Sequence, residues 1–431
     1  MRILKASANR LIVLSKCRGF QKYFWREIMA TRKKLIGVSA CALFIILTSF
    51  FWQNKQKAVQ PPNIGKRWGE VTASSDFLNL QKAAEHYRFE IRHNPDLVKN
   101  YVQLAQLYLQ QARISGRHHE YVAKAGKLLD EALSREPENF EAMITRASIM
   151  LKLHRFEEAK ELANNAIAKH SFNAFSWGVL SDALKELGDY QGAVRACDKM
   201  LSIRPDLRSY ARAAHLREIH GDIHGALQAM KMACEAGVAG LENRAWALYQ
   251  MGALYVKEGK LDTAEYIYQG LLDERPNYPF AFSGLAQICR ARADYENAIQ
   301  LLLRAYEVAP EHEFMEKIIE IYRASGKTQT ADNLVEMVLA AFRQHEEQGW
   351  DVNLEFARFC TNENIYLDEA LFRMEEEYRR RANNIDVLET YARVLYKKDR
   401  AKEAAPLIKK ALELNKSDPK LNNLSDKIAE N

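Results

Sequence analysis

A helix–turn–helix pattern that recurs along most of the chain constrains the fold more than any other feature of the sequence. Its clearest copy lies at 248–276, LYQMGALYVKEGKLDTAEYIYQGLLDERP. Residues at i, i+3, i+4 and i+7 form one apolar helical face: Leu248, Met251, Gly252 and Tyr255. After a break at 259–260, a second face follows: Ala264, Tyr268, Leu271 and Leu272. Because Gly252 and Ala264 are small, we expect two antiparallel helices to approach closely there.

About nine copies of this pattern occupy 76–418, and a polar tail at 419–431 is predicted to cap the last one. In the first copy, the spacing from Tyr101 to Ala125 exceeds the usual 16 residues by about eight, which predicts a longer turn at 116–119. A polar break is expected at 345–349. The charged run at 375–381 is predicted to be a solvated helical face with i,i+4 pairs 376–380 and 377–381.

The pattern resembles the tetratricopeptide repeat, a 34-residue unit of the form W-x2-L-G-x2-Y, A-x3-F, P. The third copy is also close to this consensus, with Trp177, Leu180, Leu184 and Pro205 at its positions. The resemblance implies an all-α, right-handed solenoid. It also implies a scaffold or adaptor that binds proteins, without catalysis or a cofactor.

The resemblance further implies an inner groove, lined two residues before and one residue after the leading aromatic of each copy. In three copies these positions hold Phe175 and Gly178, Trp246 and Tyr249, and Phe280 and Ser283. Five polar residues are expected to border them: Asp182, Lys185, Lys257, Gln287 and Arg290. Exposed aromatics suit anchoring of a peptide or partner helix. Alternatively, Trp246 packs against the connection at 237–240. The Lys/Asn clamp by which some relatives hold a carboxyl terminus is not recognisable.

Charge is distributed unevenly. Residues 1–67 carry fourteen Lys/Arg and one acidic residue, Glu27, for a net charge of +13. Because the whole chain carries +6, the remainder carries −7. The basic character therefore belongs to the leader, and the body offers no basic surface typical of nucleic-acid binding.

An uncharged run of eighteen residues at 35–52, LIGVSACALFIILTSFFW, predicts a single transmembrane helix. A cleaved signal peptide is a rival, but no small-residue cleavage site follows the run. A lipoprotein signal at Cys41 is another, although the apolar run continues past it. Ten Lys/Arg precede the run and four follow it, which predicts a cytoplasmic N-terminus and a repeat domain on the periplasmic or extracytoplasmic side.

The basic leader at 1–34 is either a transit-like peptide or an upstream extension of a chain that starts at Met29, which we favour. The polar stretch at 53–75, with Pro61-Pro62, predicts a flexible linker. With cytosolic repeats, the chain would instead be a peptide or targeting receptor on an organelle surface. A further alternative is an accessory subunit that recruits a cell-envelope enzyme.

No motif for phosphate binding, nucleophilic catalysis or zinc ligation occurs in the sequence. The six cysteines form no C-x2-C pair, and Cys197 and Cys289 occupy predicted core positions. Free thiols are unusual in an oxidising compartment, which counts mildly against the predicted orientation. The adjacent residues at 118–120, His-His-Glu, are predicted to be solvent-exposed polar side chains rather than metal ligands. No metal, cofactor or catalytic residue is therefore predicted.

Overall fold

A computed structural model describes residues 61, 63–65 and 75–430, and every regular element in these ranges is an α-helix. The twenty helices, in chain order, are α1 Ser75–His93, α2 Val98–Ser115, α3 His118–Arg135, α4 Phe140–Lys152, α5 Phe156–Lys169, α6 Ala174–Glu186, α7 Tyr190–Ile203, α8 Leu207–Ile219, α9 Ile223–Ala236, α10 Glu242–Lys257, α11 Leu261–Glu274, α12 Pro279–Ala291, α13 Tyr295–Val308, α14 His312–Ala324, α15 Thr328–Glu347, α16 Asn353–Glu363, α17 Leu367–Arg381, α18 Ile385–Lys397, α19 Ala401–Leu414 and α20 Pro419–Ala429.

Helices α2 to α19 form nine consecutive pairs, here called units 1 to 9, with α1 before them and α20 after them. Each helix packs on its sequence neighbours, and the first helices of successive units also contact one another. The chain is therefore an all-helical solenoid. Local chemistry sets the boundaries: Asn173 and Asp189 cap α6 and α7 through their side-chain oxygens, and Gly188 makes the turn between them at φ 81°.

The contact expected at Gly252 is present in unit 5. The ring of Tyr268 is fully buried between two glycines, Gly252 in the same unit and Gly284 in unit 6. A Cβ at either glycine would lie 2.4 Å from a ring carbon of Tyr268. Ala264 is also fully buried. Glycines on α10 and α12 thus leave room for one large side chain on α11, which lies between them.

One local expectation was wrong, and another holds only in part, since the polar break expected at 345–349 begins at 348. The extra residues of unit 1 do not extend its turn; they lengthen its helices, which have 18 residues each, against 13 and 14 in unit 3. The polar stretch at 345–349 does not interrupt the helical pattern at its start, because α15 continues to Glu347. Polar residues without Pro or an early Gly are compatible with a helix, so polarity was a poor sign of its end.

Successive turns of the superhelix touch along a line of contacts that we call the seam. The turn between the two helices of units 1, 2, 3 and 4 contacts the residues just before α14, α16, α18 and α20, respectively. Each contact therefore spans six units. In unit 2 the amide of Asp351 donates to the carbonyl of Leu153 at 3.0 Å. In unit 3 the Tyr190 hydroxyl accepts from the amide of Ile385 at 2.8 Å, 195 residues away. Six units therefore complete one turn of the superhelix.

Glycines in the turns lie very close to residues on the other side of the seam. A Cβ at Gly188 would lie 2.6 Å from the backbone of Asn384, and one at Gly116 would lie 2.6 Å from the Cβ of Ala309. Gly221 in unit 4 lies similarly close to Asn415. By contrast, a Cβ at Gly259 in unit 5 would meet nothing within 4 Å. The turns of units 1, 3 and 4 therefore need glycine for close approach as well as for positive φ.

The seam also explains why the charged run at 375–381 is solvated on one side only: Arg379 and Arg380 are exposed, as predicted, but two residues of the run are buried. Glu377 and Arg381 are 2% and 5% exposed, and the Arg381 Nε donates to the Glu377 carboxylate at 2.5 Å. The guanidinium of Arg381 lies 4.9 Å from the Phe156 ring of unit 2. The predicted 377–381 pair is thus confirmed but buried. The predicted 376–380 pair is replaced, because Glu376 pairs with Arg379.

The predicted span at 35–52, the leader at 1–34 and nearly all of the predicted linker lie outside the described residues. Within the described ranges, no helix combines the length and the apolarity that a membrane crossing requires. Of the stretch between the predicted span and α1, the described part is residues 61 and 63–65. There Ile64 is buried in the hydrophobic core formed mainly by α1 to α4, and the Gly65 amide donates to the Tyr121 hydroxyl at 2.8 Å.

Candidate functional site

The inner face of the solenoid is the surface formed by the first helix of each unit. First helices of neighbouring units contact one another, as α10 does with both α8 and α12, whereas second helices mainly contact the helices next to them in sequence. A row of elements that are in mutual contact lies on the inside of a curve. The predicted groove residues all belong to these first helices.

Aromatic side chains form a continuous row across units 5 to 7. The Tyr249 ring lies 5.5 Å from that of Phe280, which lies 5.6 Å from Tyr278 and 5.8 Å from Phe314. Tilted rings at such distances attract one another beyond their burial of area. The predicted pair Tyr249 and Phe280 is therefore brought together, on neighbouring inner helices.

These aromatics differ in how far they are available to a partner. Phe280 is half-buried and packs against the core of units 6 to 9, so it is partly a structural residue. Burial, together with the nearby charge of Glu313, raises the pKa of Tyr249 to about 12, so its hydroxyl stays protonated and can donate. Trp246 is 36% exposed, the most exposed of the predicted aromatics. It is the side chain of this set that solvent reaches most readily.

Most of the predicted polar residues are engaged with neighbouring helices rather than free. Asp182 accepts from the Arg212 guanidinium at 2.6 Å, and Arg290 pairs with Glu320 at 2.7 Å. Lys257 pairs with Glu218. Each of these pairs joins the inner helices of successive units. The polar border of the groove therefore fastens units together as well as facing solvent.

The remaining predicted residues lie on inner helices of units 3 and 6. Lys185 pairs with its neighbour Glu186 at 2.7 Å, and the Phe175 ring receives the Arg208 guanidinium at 5.9 Å. Gln287 is exposed. The other two groove positions do not reach solvent: Gly178 is buried, and Ser283 is buried and accepts from the Lys317 ammonium at 2.8 Å.

Sequence reasoning missed several residues of this face. Arg212 is held between Asp182 and the carbonyl of Gly178, and Arg323 donates to the Glu363 carboxylate at 2.7 Å. A signal was available for some of them, since opposite charges recur 30 residues apart in the Asp182–Arg212 and Arg290–Glu320 pairs. That spacing places them on the inner helices of adjacent units.

The described residues contain no group of three or more His, Cys, Asp or Glu side chains arranged to hold a metal ion. Their four cysteines are unpaired, and burial raises the pKa of Cys197 to about 11 and that of Cys360 to about 12. Cys289, placed in the core by its spacing, is half-buried. The prediction that His118 is a solvent-exposed polar side chain was incomplete, because its ring contacts Glu311 and Trp350 across the seam.

Sequence models of the tetratricopeptide repeat match residues 144–208 and 281–314, which lie in units 2 to 4 and in units 6 and 7. The chain contains tetratricopeptide repeats. Proteins with these repeats generally act as non-catalytic scaffolds for interactions between proteins. The matched segments agree in register with the helix pairs, since 281–314 covers most of unit 6 and the start of α14.

Several solved structures are similar to this chain at low sequence identity. A tetratricopeptide repeat protein from Parabacteroides merdae is 19% identical, with 58% of this chain and 96% of that chain covered and a TM-score of 0.43. Human IFIT1, in a dimer with PPP-AAAA, is 15% identical, with 80% and 84% covered and a TM-score of 0.48. The type IV pilus biogenesis factor PilW is 17% identical, with 47% and 94% covered and a TM-score of 0.40. No curated protein matches the sequence.

Proposed function

We propose that this chain is a scaffold that binds a peptide or helix of a protein partner on the inner face of units 5 to 7. The observation that supports this is the aromatic row of Tyr249, Phe280 and Phe314, with the exposed Trp246 on the same inner helix as Tyr249. Large, rigid aromatic side chains bury much area at little entropic cost, so they tend to carry the affinity of an interface.

The aromatic residues of this surface are of two kinds, those packed against other rings and the exposed Trp246. Tyr249 and Phe280 are held by their neighbours and cannot move far, which reduces the entropy lost when a partner binds. Trp246 has the exposed area still to be buried. Trp246 is therefore the expected anchor of the interface, about one helical turn before Tyr249 on the same helix.

The test is the variant Trp246→Ala, compared with Tyr266→Ala. Tyr266 belongs to the outer helix of the same unit and is 78% exposed, so it controls for loss of an exposed aromatic. The probe is a peptide selected from a random display library against the full chain. We expect Trp246→Ala to weaken its binding at least about tenfold, roughly 1.4 kcal/mol, and Tyr266→Ala to leave it unchanged.

Phe280 is left intact in this design because its removal would also disturb the packing on Phe314. Melting curves of both variants establish that the fold is retained. If peptides bind the folded Trp246→Ala protein as tightly as the parent, or if Tyr266→Ala weakens binding equally, the inner face is not the binding surface.

We also propose that the uncharged run at 35–52 anchors the scaffold in a membrane, with the N-terminus cytoplasmic and the repeats on the extracytoplasmic side. The full chain should then stay with membranes in carbonate, whereas a variant with Ile45→Arg and Ile46→Arg should be released. Labelling of single cysteines in intact cells reports the side. Carbonate release of the parent chain refutes the anchor, and labelling that places the repeats in the cytosol refutes the orientation alone.

A further inference from the structure

Histidines gather at the seam around one tryptophan. The Trp350 ring lies between α15 and α16, and three imidazoles surround it: His345 stacks on it at 5.2 Å, while His154 and His118 meet its edge or face at 6.1 and 6.5 Å. His118 and His154 belong to units 1 and 2, one superhelical turn earlier. Titratable rings therefore sit between two turns of the same solenoid.

Both histidines of the earlier turn face carboxylates of the later one. The His154 Nδ1 atom lies 3.6 Å from Glu355 and 2.8 Å from the carbonyl of Asp351. The Nε2 atom of His118 lies 3.5 Å from Glu311. Because a carbonyl only accepts, Nδ1 of His154 carries a hydrogen, and a second proton on Nε2 makes the ring positive. Protonation thus turns a polar contact across the seam into an ion pair.

Further charged groups surround His154. Glu186 at the end of α6 lies near it and pairs with Lys185. On the other side, the Asp351 carboxylate pairs with Arg380, and Arg381 lies over Phe156, whose ring stacks on His154 at 5.6 Å. Lys152, two residues earlier, has no ion pair within the described ranges.

The balance of these groups favours a charged His154. Burial by itself lowers the pKa of His154, but the nearby carboxylate of Glu355, with smaller contributions from the Asp351 carbonyl and Glu186, raises the pKa to about 8. Burial likewise opposes ionisation of Glu355, yet His154 holds the pKa of that carboxyl at about 2. Each partner therefore stabilises the charge of the other.

The seam is held by hydrogen bonds between residues that are distant in sequence. Its hydrogen bonds join residues 195 to 198 positions apart, whereas most of the apolar packing of each helix is with its neighbours in sequence. Trp350 is an exception, because it packs against the cores of both turns. We propose that the seam is a pH-dependent clasp, in which protonated His154 holds unit 2 against the start of unit 8 and deprotonation lets the two superhelical turns separate. Separation would open the wall of the solenoid sideways.

The pH dependence of seam closure follows from the difference between the pKa values of His154 in the closed and open seam. The pKa of His154 is about 8 in the closed seam and takes its ordinary value of 6.5 once Glu355 has moved away. Its contribution to closure is complete below about pH 6.5 and is lost as the pH rises through about 8, which changes the closing equilibrium by up to roughly 30-fold. Lys152 acts in the opposite sense, because burial and the charge of Arg113 lower its pKa to about 8.

The test is hydrogen exchange of the full chain at about pH 6.5 and about pH 9, corrected for the intrinsic rates. The Asp351 amide, which bonds to Leu153 across the seam, is the reporter. The variant is His154→Asn, because residue 154 has φ 58° and asparagine tolerates that backbone and can still donate to the Asp351 carbonyl. The difference between the pH responses of parent and variant cancels the opposing effect of Lys152.

We expect the protection of Asp351 to fall between these pH values more steeply in the parent than in His154→Asn, by roughly 15-fold. Equal pH responses in the two proteins overturn the role of His154. A second pair of variants tests the clasp without a titrating group: Gly188→Ala should deprotect the Ile385 amide at both pH values, and Gly259→Ala should not. If Gly188→Ala instead deprotects α6 and α7 throughout, the seam is not separable from the fold and the proposal fails.

Discussion

Replacing Gly252 by alanine tests the packing at the centre of unit 5. The added Cβ would lie 2.4 Å from the Cε1 atom of Tyr268, about 1 Å inside ordinary van der Waals contact. The ring cannot simply retreat, because the same end of it lies so close to Gly284 that a Cβ there would be 2.4 Å from the Cζ atom. The variant must therefore separate α10 from α11 or turn a fully buried ring.

The expected cost combines two opposing effects. Overpacking of a well-filled core destabilises by roughly 1–3 kcal/mol. Alanine in place of glycine inside a helix returns up to about 1 kcal/mol. We therefore expect Gly252→Ala to lower the free energy of unfolding by about 0.5–2 kcal/mol, and Gly252→Leu to lower it more, since its larger side chain cannot fit beside Tyr268.

Gly270 provides the matched control. It lies within α11 of the same unit and is exposed, and a Cβ added there would meet nothing within 4 Å. Gly270→Ala should thus gain the helix propensity without the clash and stabilise by roughly 0.5–1 kcal/mol. Because repeat arrays can unfold part by part, the measurement is amide hydrogen exchange in α10 to α12 rather than one global transition.

A loss of 1–2 kcal/mol corresponds to roughly 5- to 30-fold faster exchange in these helices. If Gly252→Ala exchanges as slowly as Gly270→Ala, the Tyr268 ring is not held between the two glycines, and the register assigned to unit 5 is wrong. Faster exchange confined to units 5 and 6, with units 1 to 3 unchanged, is the expected pattern, because each unit packs mainly on its neighbours.

Three further predictions concern single contacts. The Tyr268 hydroxyl is buried without a hydrogen-bond partner within the described ranges, so Tyr268→Phe should keep or raise the melting temperature. Glu377→Gln should destabilise by about 1–3 kcal/mol in denaturant titrations, because it removes the nearer of the two carboxylates that pair with the buried Arg381 and leaves only Glu186. Glu376→Gln at an exposed pair should change little. Asp222→Ala removes the N-cap of α9 and should cost about 0.5–2 kcal/mol, seen as faster exchange in its first turn.

Sequence periodicity predicted the helix pairs and the close approach at Gly252 because both depend on residues within one or two units. The burial of part of the charged run at 375–381 could not be predicted in this way. Its Glu377–Arg381 pair has the spacing of a surface pair, yet it is buried against residues of unit 2. That burial depends on the small rotation between units summed over six of them, which no local pattern encodes.

The candidate site was predictable to a similar extent. The family pattern located Trp246, Tyr249 and Phe280 on inner helices, but it could not tell the exposed Trp246 from the half-buried Phe280. That difference arises from Phe314 in the next unit, whose ring packs on Phe280. The polar residues were chosen as a solvent-facing border, and their ion pairs with adjacent inner helices depend on side-chain reach between units.

The seam also sets an order of events during synthesis. The turns of units 1 to 4 emerge from the ribosome long before their partners, which lie 195 to 198 residues later in the contacts of units 2 and 3. At about 5–20 residues per second, each turn waits roughly 10–40 s for its partner. Throughout that interval the nascent solenoid is an open coil whose early turns are uncovered. Units 7 to 9 and α20 therefore complete units 1 to 4, and a chain that ends after unit 6 is expected to fold without a closed seam.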